Sequence, residues 1–313
     1  MSANSTMRMK VRRYIAQRRA GGFALTIDEQ QLLRFANFVD NSGYKGPLTV
    51  ELASRWALAS RAGRRLTAAR RIEVIRGFAH YCQTLDPATE VPPRALFGPA
   101  HRRLTPHIFS DRELRGLLTA AASLRPPGGL RGPTCATIFG LLASTGLRIS
   151  EATGLRRQDV ELGQGLIHIR HAKFGKSRLV PLHTSTVKVL RRYAVHRDRD
   201  PYSHLSDAFF LFDRGRPATT RNLEYAFKRL RQRLGWRCRG ALRYPRIHDI
   251  RHTFATRRLE HWYREGINID RDILALSTYL GHAKVTDTYW YVTATPELLA
   301  LAAQRTRAAG GTS

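Results

Sequence analysis

The sequence predicts a mainly α protein with a small β-sheet, divided into an N-terminal helical domain and a larger C-terminal domain. Three observations carry this. At 313 residues the chain exceeds one typical domain and is long enough for two lobes, each with its own core. Apolar residues recur at helical spacing through most of the length, and only short runs read as strands. Between the two parts lies a stretch crowded with helix breakers, Asp86-Pro87, Pro92-Pro93, Gly98-Pro99 and Thr105-Pro106. We place the first domain at residues 1–97, a linker at 98–108 and the second domain at 109–313.

In order, residues 7–19 predict a short basic helix with Val11, Tyr14 and Ile15 as its apolar stripe, closed by Gly21-Gly22. Thr26, with Glu29 three residues on, reads as an N-cap for a helix carrying Leu32, Leu33, Phe35, Phe38 and Val39. Two more helices follow over residues 49–60 (Val50, Leu52, Trp56, Leu58) and 67–84 (Ile72, Ile75, Phe78, Tyr81). The first lobe is therefore a helical bundle. In the second, Ser110 caps a helix over residues 111–123, and after Pro126-Pro127-Gly128-Gly129 a buried helix spans residues 133–144. Thr145-Gly146 stops that helix and Leu147-Arg148-Ile149-Ser150-Glu151 begins another. Residues 165–172 and 177–182 predict a hairpin joined through Lys173-Phe174-Gly175-Lys176. From Thr184 onward the pattern is helical, broken by Phe209-Phe210-Leu211-Phe212 and a turn at residues 213–217.

Charge narrows the partner. Lys and Arg number 53 against 24 Asp and Glu, a formal net charge of +29 with a pI near 11.3, far beyond what solubility requires. A polyanion is the expected partner. The excess runs through both lobes, with 16 basic and 7 acidic side chains in the first hundred residues and 37 and 17 in the rest. One basic cluster, Arg61-Ala62-Gly63-Arg64-Arg65 with Arg70-Arg71 beyond it, sits where it can meet phosphates. The linker contains His101-Arg102-Arg103. No apolar run approaches a membrane span and the N-terminus lacks a signal-peptide core, so the expectation is a soluble cytoplasmic, nucleoid-associated protein with no membrane partner. Cys82, Cys135 and Cys238 are far apart and lack the paired spacing of zinc or redox motifs.

Several residues could carry chemistry. His248 and Arg251 are three apart and share one helix face, where they can converge on an anion. Arg148 follows a glycine at a helix start, where N–H groups and the dipole also favour an anion, and Glu151 one turn on can hold its guanidinium. Lys173 stands at the mouth of the hairpin, with Lys176 as its competitor. His282 follows Leu280-Gly281. Tyr289 and Tyr291 are two apart and diverge by roughly 200° on a helix, so only one phenol can face a common site while the other is packed. A phenol of pKa ~10 needs a base or a cationic surround before it can attack.

Taken in order, Gly146-Leu147-Arg148-Ile149-Ser150-Glu151, Lys173 ahead of Arg178-Leu179-Val180-Pro181-Leu182, His248-Asp249-Ile250-Arg251-His252, Leu280-Gly281-His282 and Tyr291 form a pattern that resembles the tyrosine site-specific recombinases of the phage integrase family. The resemblance covers about residues 104–296. It implies a core-DNA-binding domain followed by a tyrosine-recombinase catalytic domain, and cleavage and rejoining of DNA strands through a 3′-phosphotyrosine. By the same resemblance, Arg148 and Arg251 clamp the scissile phosphate and Tyr291 is the nucleophile. Lys173 is the acid for the leaving 5′ oxygen, His248 binds the phosphate and accepts the tyrosine proton, and His282 donates a hydrogen bond to the phosphate. Double-stranded DNA is the implied partner, a tetramer around a four-way junction the implied assembly, alone or with related recombinases. No metal, ATP or other cofactor is expected. Residues 254–280 exceed the spacing expected between these motifs, which predicts an extension in the helix pair before His282. The apolar tail around residues 296–309 resembles an exchange helix that docks on a neighbouring protomer. Two other classes remain at this point: a catalytically idle DNA-binding protein of the same fold, and a type IB topoisomerase-like relaxase of supercoils.

Overall fold

The computed structural model describes residues 6–23, 25–59, 65–100, 104–170, 177–292 and 298–300. Of the sequence expectations, Arg61 to Arg64, His101 to Arg103, Lys173 and most of the tail lie outside the described residues. The chain packs as two compact units, Met1–Arg103 and Leu104–Ser313.

Among its described residues unit one is four helices: α1 (Met7–Ala20), α2 (Thr26–Asn41), α3 (Val50–Leu58) and α4 (Arg65–Gln83). Each contributes an apolar stripe, and Val11, Leu32, Phe35, Ile72, Ile75 and Phe78 are at most 1% exposed. The Phe35 and Trp56 rings meet edge-on at 5.4 Å, locking α2 to α3. Asp40 at the end of α2 accepts the Met7 and Arg8 N–H groups at 3.0 and 3.3 Å, closing the first turn of α1. Helix α2 begins at Thr26, with Leu25 in the left-handed conformation as the capping position, so the cap lies one residue before the expected one. In α3 the buried stripe is Leu52, Ala53, Trp56 and Ala57. Leu58, expected inside, is exposed because it lies on the opposite side of the helix from that stripe.

Unit two is organised on α6 (Arg131–Thr145). Thr134, Cys135, Ile138, Phe139, Leu141 and Leu142 bury it on several sides, as befits a helix that is apolar nearly all round. Helix α5 (Asp111–Ala122) packs along it, started by a reciprocal cap between Ser110 and Glu113. The short α7 (Ile149–Thr153) precedes a three-stranded antiparallel sheet, β1 (Val160–Glu161), β2 (Leu166–Ile169) and β3 (Arg178–Pro181), in the order β1-β2-β3. The expected hairpin is the β2-β3 pair. Two-residue β1 escaped sequence reading because it is too short to show alternation. Helix α8 (Thr184–Asp198), the ribbon β4 (Leu211–Phe212) with β5 (Arg216–Pro217), and α9 (Thr220–Arg233) complete this side of the core.

Helices α10 (His248–Arg264), α11 (Ile269–Leu280) and α12 (Thr286–Val292) enclose a second apolar cluster of Ala255, Leu259, Ile273, Leu276, Leu280 and Tyr291. The long segment between Phe254 and Leu280 is accommodated by α10 running to Arg264, a turn at Gly266 (φ 72°) and α11. Leu298, at the start of the tail, is buried in this same cluster, so the tail's first described turn packs within its own unit. Among the described residues no helix is long and apolar enough to cross a membrane.

Candidate active site

The site forms where α6, α7, α10, α11 and α12 meet, and glycines make that meeting possible. Gly146 ends α6 at φ 64°, and a Cβ there would lie 2.5 Å from the Phe254 ring and 2.9 Å from Leu280. Gly281 ends α11 at φ 68° in a motif where the Gly281 and His282 N–H groups return to the carbonyls of Thr278 and Ser277. The next three carbonyls, Tyr279, Leu280 and Gly281, point out of the helix end. Each accepts a different arginine: Arg178 Nε at 2.8 Å, Arg251 Nη2 at 2.8 Å and Arg148 Nη2 at 2.7 Å. The negative end of the α11 dipole thus gathers three guanidiniums.

Arg251 is 2% exposed, and its Nη1 donates to Gly146 O at 2.6 Å. Burial is the main cause lowering its pKa to about 10, which leaves it a cation at neutral pH. Arg148 retains 24% exposure. Glu151 accepts its Nη1 at 2.8 Å and its backbone N–H at 2.9 Å, so the expected tether is present twice over. Helix α7 has only five residues, so its dipole adds little and the anion preference here comes from the guanidiniums themselves.

The start of α10 is fixed by Asp249, which is fully buried and accepts from the Arg246 backbone N–H and Nη2, both at 2.8 Å. His248 is exposed there, its ring 4.6 Å from that of His252. Desolvation first, then Arg251, Arg246 and Arg148, push its pKa down to about 4. His282 is likewise held at about 4, by burial and then by Arg251 and Arg148. Its Nδ1 shares a 2.7 Å hydrogen bond with the Thr288 hydroxyl. Both imidazoles are neutral at pH 7.

Tyr291 is 2% exposed, and its ring stacks on His282 at 5.9 Å. The Arg251 guanidinium lies beside its hydroxyl. Burial raises its pKa, while Arg251 and Arg148 oppose that rise. Tyr289 is 42% exposed. The expected divergence of the two phenols is present, but the packed phenol is Tyr291, the one at the site, and the assignment of Tyr289 to packing is corrected. A buried phenol facing cations satisfies packing and chemistry together, an option that helical spacing alone does not reveal.

Arg148, His248, Arg251, His282 and Tyr291 are therefore brought together by the fold. Sequence reasoning missed two neighbours. His252 is 8% exposed, its ring 4.6 Å from His248, 5.1 Å from Trp290 and 5.4 Å from Tyr291, and its Nδ1 has no hydrogen-bond partner among the described residues. Arg178 is the other, and a signal for it existed: strand alternation places it on the same face as Val180, which is fully buried. Beside Arg148, a cleft of about 630 Å³ opens between α7 and β2, lined also by Arg156, His168 and Arg170.

Comparison with known proteins yields one consistent picture. Residues 111–297 match the model of the phage integrase family. A putative integrase/recombinase, y4rE, of Sinorhizobium fredii (strain NBRC 101917 / NGR234) is 38% identical over 302 residues, 96% of each chain. Tyrosine recombinase XerC of Chlamydia pneumoniae is 30% identical over 225 residues, covering 72% of this chain and 66% of that one. In fold, the chain is similar to XerH site-specific recombinase bound to palindromic difH substrate (TM-score 0.64, 19% identity, 87% of this chain and 77% of that one). It is also similar to the Tn1549 transposon integrase in complex with transposon right end DNA (TM-score 0.66, 17% identity, 90% and 94%).

Proposed function

From the premise that this chain belongs to the phage integrase family, we propose that it is a site-specific DNA recombinase that breaks and rejoins strands through a 3′-phosphotyrosine. The observation that carries the reading is the Tyr291 hydroxyl held against Arg251, with Arg148, His248 and His282 around it. The Tyr291 oxygen attacks the scissile phosphorus, the P–O5′ bond breaks, and the 5′ oxygen leaves with a proton as a hydroxyl. Arg148 and Arg251 stabilise the charge that grows on the non-bridging oxygens, and His282 donates a hydrogen bond to one of them. His248, neutral at pH 7, accepts the phenolic proton, and Lys173 is the acid that protonates the leaving oxygen. Attack by a 5′-hydroxyl from the partner strand reverses the same steps, so the bond energy is conserved and no ATP or metal is required.

In this reading Met1–Arg103 is the core-DNA-binding domain and Leu104–Ser313 the catalytic domain. The enzyme works in the cytoplasm on nucleoid DNA, as a tetramer around a four-way junction. The tail around residues 296–309 acts as the exchange helix, anchored at its start by Leu298.

The test begins by selecting duplexes that this protein binds from a random-sequence library and tiling single nicks across the selected site. The wild-type chain should form a covalent protein–DNA adduct. Tyr291→Phe should abolish it and Tyr289→Phe should retain it. An adduct that persists in Tyr291→Phe rejects the assignment, and relaxation of supercoiled DNA lacking any selected site would favour a topoisomerase instead.

A further inference from the structure

One buried cation in the site has no part in the chemistry described above. Arg178 is only 10% exposed on its side chain, and each of its three guanidinium nitrogens is committed within the protein. Nη1 and Nη2 donate to the two oxygens of Glu151 at 3.0 and 2.9 Å, and Nε donates to Tyr279 O. It is thus not arranged as a phosphate ligand. The same Glu151 oxygens accept the side chain and backbone of Arg148, so two guanidiniums share one carboxylate that is 6% exposed.

We infer that Arg178 is a positioning residue for strand cleavage: its fork fixes Glu151 and the end of α11, and Glu151 in turn fixes the guanidinium of Arg148 toward the phosphate. The inference rests on the recombinase reading above. The fork matters because a bidentate arginine sets the plane of a carboxylate, which a lysine point charge does not. Without it, Glu151 is free to turn wholly onto Arg148 and draw that guanidinium away from Gly281. Burial would raise the Glu151 pKa, and the hydrogen bond from Arg178 is the largest opposing effect, keeping the carboxylate ionised between its two partners. Packing leaves Arg178 no slack on its other side: a Cβ on Gly281 would come within 2.6 Å of its Nη1. Arg178 therefore ties together three separate segments, β3, α7 and the turn that carries His282.

The experiment uses the full chain and the nicked duplexes it selects, and reads the single-turnover rate of adduct formation at saturating DNA. Arg178→Lys should slow this step on the order of 10²-fold, the scale of a misplaced catalytic group, with DNA affinity and its salt dependence unchanged. In an Arg148→Lys background it should add no further loss, because it acts through Arg148. A wild-type rate in Arg178→Lys overturns the inference, and so does a loss that multiplies with that of Arg148→Lys. A weakened salt dependence also overturns it, by making Arg178 a phosphate ligand. Should Arg178→Lys fail to fold, Glu151→Gln removes the shared charge while keeping the shape. It should show the same slow step and the same non-additivity, and an unchanged rate rejects the clamp. If the wild-type chain forms no adduct, the recombinase reading falls and this inference with it. A wild-type adduct with a fast Arg178→Lys rejects the positioning role alone.

Discussion

The four-helix bundle of unit one and the junction at the end of α11 use the same abundant residue in opposite ways. In the bundle the interior is apolar, and arginine approaches it only at the edge, where Arg71 lies over the Trp56 ring at 4.7 Å and donates to Trp56 O. At the junction three arginines donate to the carbonyls at the end of α11, beside the buried His252 and Tyr291. The first arrangement is stabilised by hydrophobic burial and tolerates charge at its margin. The second takes two of its three cations, Arg178 and Arg251, largely out of water, at an expense in stability that the apolar bundle does not carry.

The comparison breaks most easily through the bundle. Phe35 is fully buried against Trp56, so Phe35→Ala should destabilise unit one by about 3–5 kcal/mol, measured by denaturant unfolding. The rate of adduct formation at saturating DNA should be unchanged in whatever fraction remains folded. At the junction the opposite separation is expected. Arg148→Ala should slow adduct formation by about 10²–10³-fold, the scale of losing one transition-state donor, and should move the unfolding midpoint little because Arg148 is already part-exposed. A loss of activity that tracks stability in both variants would erase the distinction between scaffold and site.

What could be read from the sequence follows the same division. Local signals were sufficient for α5, whose Ser110–Glu113 cap is written within four residues. Leu58 misled because an apolar residue at a helix end was read as part of the stripe that Ala53 and Ala57 form. The motif residues Arg148, His248, Arg251, His282 and Tyr291 were individually visible, but what each touches was not. The three carbonyls of Tyr279, Leu280 and Gly281 are shared by arginines from β3, α10 and the turn before α7, an arrangement created only when those segments close together. The partners of Arg178 remained hidden for that reason: they are 27 and 101 positions away along the chain.

Acid should strain the junction before the bundle. His252 is pushed down to about 2, by burial and then by His248, Arg246, Arg251 and His282, and His282 is held at about 4. In the unfolded chain both would titrate near ~6.5. Below that value the unfolded state binds more protons than the folded one, so this contribution is fully present above pH ~6.5 and is lost as pH falls toward the folded values. At pH 5 the loss from His252 alone is about 2 kcal/mol, or roughly 4 °C or more in Tm. Replacing the ring by an uncharged one of similar shape, His252→Phe, should flatten the decline between pH 7 and 5 in a thermal scan. An unchanged decline would place the acid sensitivity elsewhere.

The smallest effect sharpens the comparison where sequence and structure disagree most directly. Arg70-Arg71 reads in sequence as part of a phosphate-binding cluster, yet the Arg71 guanidinium is occupied by Trp56, and Arg70 donates to Ala100 O at 3.3 Å. A cation over an indole with one hydrogen bond stabilises by about 1 kcal/mol. Arg71→Ala should therefore lower the stability of unit one by about that amount and leave the slope of DNA affinity against salt where it was. A phosphate ligand behaves in the reverse way, because its removal reduces that slope by about one and costs the free protein nothing. If Arg71→Ala reduces the slope, the edge of the bundle exchanges its aromatic partner for DNA on binding, and the contrast with the junction becomes one of degree.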